Sequence, residues 1–261
     1  MLSDECKTSS QLFESSGTTD MQRSKHFVYD TVLYEQAILY GFQLHFGSPK
    51  QYCILGLLPS YLERPNSSLV YMVTYLMKLS EHPQNNFYLH DFEKLTEQII
   101  ELEKRQQPTL LFGVTFALLD WIKTHSLPLK YVTIIETGGM KGKAEELTKQ
   151  QLHNQLQQAF GEQCKIYSEY GMTELLSQAY STHQLVFTTP PWMKICIREM
   201  NDPFTILQEG RGLINVIDLA NIYSCAFIAT DDIADIKSNG QFTLLGRSDY
   251  SEWRGCSMLS L

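Results

Sequence analysis

No apolar run in this sequence approaches the roughly eighteen residues that a membrane-crossing helix needs. Met1 is followed by LSDECKTSS, which has neither the basic start nor the apolar stretch of a signal peptide. A basic surface is missing as well, since 21 Lys and Arg face 29 Asp and Glu for a formal net charge of −8. Nucleic-acid phosphates would need a clustered cationic excess, so they are excluded as partners. The cysteines Cys6, Cys53, Cys164, Cys196, Cys225 and Cys256 form no CxxC pair and have no histidine at ligand spacing. That excludes a zinc site and a disulfide framework and points to a reducing compartment, the cytoplasm. Repeats, low-complexity tracts and linkers rich in Pro, Gly or Ser are also absent.

Several catalytic signatures fail. GGMKGKA is one residue short of the phosphate-binding P-loop and has Ala where Ser or Thr should meet the metal. No GxSxG elbow, HExxH or GxGxxG occurs.

What is present is a core-forming composition, 43% hydrophobic and 11% aromatic over 261 residues. It suffices for one large domain, or for a domain with a small lobe. Apolar periodicity predicts a helix over 29–46, then a buried strand in QYCILGLLP. A second helix follows over 67–80, capped by Ser67 or Asn66. FYLHD reads as a short strand, and Asp91 caps a helix running to about Arg105. TLLFGVT precedes a helical stretch through Trp121, KYVTII runs into a glycine pair, and AEELTKQQLHNQLQQAF, 144–160, leads to CKIYSEY. This alternation predicts βαβ units, hence an α/β fold with a mostly parallel sheet flanked by helices.

After about residue 185 the rhythm changes to short strands, in WMKICIREM, GRGLINVIDL, CAFIATDDIADI and GQFTLLG. The expected division is an α/β nucleotide-binding part over 1–185 and a β-rich subdomain over 186–261. Ligands of open parallel sheets bind beyond the carboxyl ends of the strands, where TGG and YGMTE fall.

Four segments carry candidate chemistry. Ser15, Ser16, Gly17, Thr18 and Thr19 can turn hydroxyls and backbone N–H groups toward an anion; the plainer alternative is a solvated loop. YGMTE, 170–174, offers an aromatic face, a hydroxyl and a carboxylate able to hold hydrated Mg²⁺, or else a helix start capped by Thr173 and Glu174. Asp231 and Asp232 end an apolar strand where a carboxylate can accept ribose hydroxyls, although such pairs also make acidic turns. Arg247 and Asp249 follow FTLLG at a spacing that suits a hinge, a second ribose contact or a surface turn. Phe112, Val114, Phe116 and Met172 can line an acyl pocket or serve as core.

The order SSGTT, TGG, YGMTE, TDDI and GRSD resembles the motif series of the adenylate-forming superfamily. Within it, LPSYLERPNSSLVYM at 58–72 and RGCSM near the C-terminus look like the acyl-protein synthetase family of bacterial luminescence (LuxE-type). The resemblance implies the large-domain fold of those enzymes, the cofactors ATP and Mg²⁺, and attack of a fatty or aryl carboxylic acid on ATP to give an acyl adenylate. It further implies acyl transfer to a thiol, with an acyl-reductase or acyl-carrier protein as partner.

By the same resemblance Ser15 to Thr19 hold the β- and γ-phosphates, while Gly138, Gly139 and Tyr170 flank the adenine. Thr173 meets phosphate, Glu174 the metal and Asp232 the ribose, with Arg247 nearby. Cys256 accepts the acyl group, and Arg254 close by favours its thiolate. Coenzyme A or a carrier protein as acceptor, and a non-catalytic subunit of the same fold, are the alternatives. The sequence departs from the pattern at Asp20, Met21, Gln22 and Arg23, where Gly-x-Pro-Lys is expected. It also starts almost at the phosphate loop, from which an incomplete or shortened protein is expected, and ends without a lid domain, which also fits the acyl-protein synthetase pattern.

Overall fold

The computed structural model describes residues 11–15, 24–59, 63–89, 91–138, 147–181, 184–200, 202 and 204–248. A two-stranded ribbon comes first: β1 (Gln11–Glu14) pairs antiparallel with β2 (Lys25–Val28), Glu14 opposite Lys25. Phe13 anchors it, fully buried and edge-on to Tyr34 and Tyr71.

The alternating segment follows as α1 (Thr31–Phe46), β3 (Cys53–Leu57), α2 (Ser68–Ser80), β4 (Asn86–Phe87), α3 (Phe92–Lys104), β5 (Thr109–Val114), α4 (Thr115–Ile122), β6 (Val132–Thr137), α5 (Lys149–Phe160) and β7 (Lys165–Tyr170). Helix starts follow cap chemistry, because a side-chain oxygen satisfies an amide that the first turn leaves unpaired. Asp30 accepts from Leu33 N, Ser67 from Val70 N and Asp91 from Lys94 N. The helix expected over 144–160 is confined to Lys149–Phe160. Thr148 is extended and forms a reciprocal capping box with Gln151, which fixes the start there. The strand expected in FYLHD is the two-residue β4 alone.

β4, β3, β5, β6 and β7 lie side by side, all parallel. Alternate residues of β3 face opposite layers. Cys53, Leu55 and Leu57 pack with Leu95, Ile99, Trp121, Leu156 and Phe160 from α3, α4 and α5. Ile54 and Leu58 pack with Tyr34, Ile38, Phe42, Met72 and Leu76 from α1 and α2. With helices covering both faces, the strands can be apolar at every position, as β3 is.

Beyond β7 the strands turn antiparallel: β8 (Ala179–Ser181), β9 (Phe187–Thr188), β10 (Met193–Arg198), β11 (Ile206–Leu207), β12 (Gly210–Asp218), β13 (Phe227–Ile236) and β14 (Phe242–Arg247). They extend the parallel strands into one twelve-stranded sheet ordered β11-β10-β12-β13-β14-β9-β8-β7-β6-β5-β3-β4. Their own core gathers Phe187, Ile195, Ile197, Ile214, Val216 and Phe242. Among the described residues no helix is long and apolar enough to cross a membrane.

Candidate functional site

The run of small residues leaves from β1 and returns through β2. Ser15 is half-buried at its base, where Ser24 N donates to Ser15 Oγ at 3.0 Å and Ser15 N donates to Ser24 O at 3.1 Å. Ser16, Gly17, Thr18 and Thr19 lie outside the described residues. The other face of Ser24 meets the YGMTE segment, its hydroxyl donating to Glu174 Oε1 at 2.5 Å.

Residues 171–177 form a turn rather than a helix start, with Thr173 and Glu174 at its centre. Asp218, fully buried at the end of β12, sets that turn. Its carboxylate accepts from Leu176 N at 2.9 Å, Ser177 N at 3.0 Å, Ser177 Oγ at 2.6 Å and Ala220 N at 3.1 Å. Asn221 completes the brace by donating from Nδ2 to Glu174 O at 2.7 Å while Oδ1 lies 3.1 Å from His26 Nε2. Burial pushes the His26 pKa down, against its hydrogen bond to Asn221, so the ring is neutral near pH 7.

On the opposite side of the β7 end, the Tyr170 hydroxyl donates to Asp232 Oδ2 at 3.0 Å. The Tyr170 ring is buried, edge-on to Phe187 and Phe242. Burial, then the Asp232 charge, push its pKa up and keep the phenol a donor. Asp232 stands opposite Arg247 across β13 and β14, but the ion pair of Arg247, at 3.7 Å, is with Asp231. Both partners are about half exposed, so the pair holds loosely.

The end of β6 lies beside that of β7 in the sheet. Gly138 has φ +81°, and a Cβ there would meet no atom of the described residues within 4 Å. Gly139 lies outside the described residues. Below the turn, the fully buried Glu136 accepts from Thr115 Oγ1 at 2.6 Å, Ser168 Oγ at 2.7 Å and Lys149 Nζ at 2.6 and 2.7 Å. Lys149 also reaches Gly138 O at 3.1 Å, tying the turn to the buried carboxylate. His153, 2.9 Å from Ser168 Oγ, has its pKa pushed down to about 4 by burial.

Glu169 is the second carboxylate at these strand ends. Thr137 Oγ1 donates to its Oε2, and burial pushes its pKa up to about 7. A Cβ on Gly171 would crowd Glu169 Oε1, so a side chain there would require the Glu169 carboxylate to shift.

Cys256 and Asp249 lie outside the described residues, as do Asp20 to Arg23. Cys53 and Cys164 are buried, with thiols pushed up to about 12 by burial, and are unreactive. Phe112 is core, and Val114 and Met172 are half-buried. Phe116, 39% exposed, lines an open hollow of about 350 Å³ with Leu89, Phe92, Ala117 and Asp120.

Ser24, Asp218, Asn221, Glu136 and Lys149 were not expected from sequence. The available signal was an acidic residue inside an apolar strand, Glu136 in VTIIET and Asp218 in INVID.

No protein-family model matches the sequence, and no curated protein does. Solved structures do match. ATP-bound MatB from Rhodopseudomonas palustris aligns with a TM-score of 0.65 at 16% identity, over 90% of this chain and 47% of that one. O-succinylbenzoate coenzyme A synthetase (MenE) from Bacillus subtilis, in complex with ATP and magnesium ion, gives 0.64 at 15% identity, over 90% and 49%. Coronafacic acid ligase from Pectobacterium brasiliense gives 0.58 at 16%, over 85% and 44%. The chain thus has the fold of the adenylate-forming enzymes and spans about half the length of these neighbours.

Proposed function

We propose that this chain is the nucleotide-binding part of an ATP-dependent ligase, which activates a carboxylic acid as its acyl adenylate and passes the acyl group to a thiol. The observation that carries this reading is the meeting of the Ser15–Ser24 loop base and the YGMTE turn at Glu174, with Tyr170 and Asp232 joined across the same strand end. ATP bound to two neighbours of this fold supports it.

The residues fit the groups required. Among the described residues no three acidic, histidine or cysteine side chains gather as a metal cage. One carboxylate beside hydroxyls suits Mg²⁺, which keeps several waters and takes other oxygens from substrate phosphates. Glu174 would hold that ion, whose charge offsets the repulsion between the carboxylate and the α-phosphate. Ser15, Ser16, Gly17, Thr18, Thr19 and Thr173 would bind phosphates. Gly138, with Gly139 and Tyr170, would flank the adenine. Asp232 would accept the ribose hydroxyls, with Arg247 beside it. The nucleotide would lie between residues 1–185 and the β-rich 186–261.

Cys256 is the proposed acyl acceptor, as in acyl-protein synthetases, with a reductase or carrier protein taking the acyl group onward. A reducing cytoplasm would keep that thiol free. The test is intact-protein mass spectrometry after incubation with Mg·ATP and a mixture of fatty and aryl acids. The expected result is an ATP-dependent, hydroxylamine-labile adduct that Cys256→Ala abolishes. Pyrophosphate release without an adduct would move the acceptor to coenzyme A or a carrier. Neither signal, with no thermal shift on adding Mg·ATP, would overturn the reading in favour of a non-catalytic subunit.

A further inference from the structure

Arg198, the last residue of β10, is only 8% exposed, yet every partner it has among the described residues is neutral. Its Nη1 donates to Ile214 O at 3.1 Å and Asn215 Oδ1 at 2.8 Å, and its Nη2 to Thr230 O at 2.7 Å. A buried cation is retained only where its hydrogen bonds are made, and an apolar residue fills such a place at less cost. The strand register shows what the cation does here.

Between β12 and β13, Asn215 pairs with Ala229 and Leu213 with Ile233. Three residues, Thr230, Asp231 and Asp232, therefore stand opposite Ile214 alone. The ladder is interrupted at the acidic pair, and an interruption of this kind re-aims side chains. Two carbonyls at the interruption, Ile214 O and Thr230 O, are the ones that Arg198 takes. The Thr230 hydroxyl continues the link, donating to Ile214 O at 3.1 Å and accepting from Asp232 N at 3.2 Å. Asp232 then receives the Tyr170 hydroxyl. Only a planar guanidinium has donors spread widely enough to bridge two strands in this way; an ammonium has no fork.

We propose that Arg198 is a positioning residue for nucleotide recognition. It holds the bulge 230–232 in the form that directs Asp232 toward the ribose. The proposal rests on the reading that Asp232 accepts the ribose hydroxyls.

The experiment is calorimetric titration of the whole chain with Mg·ATP and with Mg·2′,3′-dideoxy-ATP, for the wild type, Asp232→Asn, Arg198→Met, Arg198→Lys, Thr230→Val and the Arg198→Met/Asp232→Asn double variant. Hydrogen bonds to a carboxylate predict a wild-type preference for ATP of about 10- to 100-fold. Arg198→Met should reduce that preference as far as Asp232→Asn does, and the double variant no further. Arg198→Lys and Thr230→Val should fall between. A merely structural role would lower the melting temperature and leave the preference unchanged in the folded protein, which overturns the proposal. If Arg198→Met does not fold, an unchanged preference in both milder variants overturns it equally. Wild-type protein that binds ATP with no preference that Asp232→Asn removes, or that binds no ATP, overturns the ribose reading itself and this inference with it.

Discussion

The Ser24 hydroxyl donates to Glu174 Oε1 at 2.5 Å, joining residues 150 positions apart. The bond fixes one carboxylate oxygen; on the proposed reading the other oxygen would meet the metal, as in a ligating side chain with a supporting hydrogen bond. Glu174→Gln is expected to lower acid-dependent pyrophosphate release by at least about 100-fold, since a bound metal contributes several kcal/mol to such a transition state. Ser24→Ala should act more mildly, raising the Mg²⁺ concentration for half-maximal rate by about tenfold with a smaller change in the saturated rate. A Mg²⁺ titration of both variants reads the difference. Equal Mg²⁺ dependence in Ser24→Ala and wild type would mean that this hydroxyl does not orient the metal ligand.

Glu169 predicts a pH dependence of stability. Its pKa in the folded chain, about 7, stands above the ordinary 4.5 because burial disfavours the charged form. The stability linked to its protonated form is therefore complete below about pH 4.5 and is lost as pH rises through 7. The loss is on the order of 3 kcal/mol. Glu169→Gln keeps the neutral shape at every pH. The difference in unfolding free energy, wild type minus variant, should fall between pH 4.5 and 8 in urea titrations. A flat difference would mean that Glu169 is charged throughout.

The elements that follow local rules were readable in the sequence. Ser67 and Asp91 cap the helices they were expected to cap, and the alternation of strands and helices gave the parallel half. The start of α5 was misplaced because AEELTKQQL is helix-favouring throughout. A reciprocal bond between Thr148 and Gln151 wins over propensity there. The candidate segments were legible as motifs, but the residues that join them were not. Ser24 and Asn221 act through partners 150 and 47 positions away, and no periodicity in sequence encodes such a pairing. The bulge that contains Asp232 is likewise a property of register between β12 and β13.

The Lys149–Glu136 pair predicts a large and conditional loss of stability. Glu136 is fully buried, and Lys149 is the only cation bonded to it among the described residues. Lys149→Met strands that charge and should cost about 3–5 kcal/mol in urea unfolding, whereas adding Glu136→Gln should restore most of it. A single-variant loss below about 1 kcal/mol, within the range of a surface pair, would contradict a buried origin for the interaction.

Asp218 links the stability of the chain to the proposed metal site. Its two oxygens take four donors: the Leu176 and Ser177 amides on Oδ2, the Ser177 hydroxyl and the Ala220 amide on Oδ1. Asn at 218 has a single accepting oxygen, so one pair of these donors must face an NH₂ group. Two buried donors left without acceptors, at about 1–3 kcal/mol each, predict a loss of about 2–6 kcal/mol for Asp218→Asn. The effect should extend to ligand binding, because the same turn carries Glu174 and because Asn221, three residues beyond Asp218, holds the Glu174 carbonyl. Thermal unfolding with and without Mg·ATP separates the two consequences. The apo melting temperature should drop, and the ligand-induced rise should shrink because the slackened turn no longer presents Glu174. A lowered apo value with the full ligand shift retained would confine Asp218 to the core and leave Ser24 as the residue that orients Glu174.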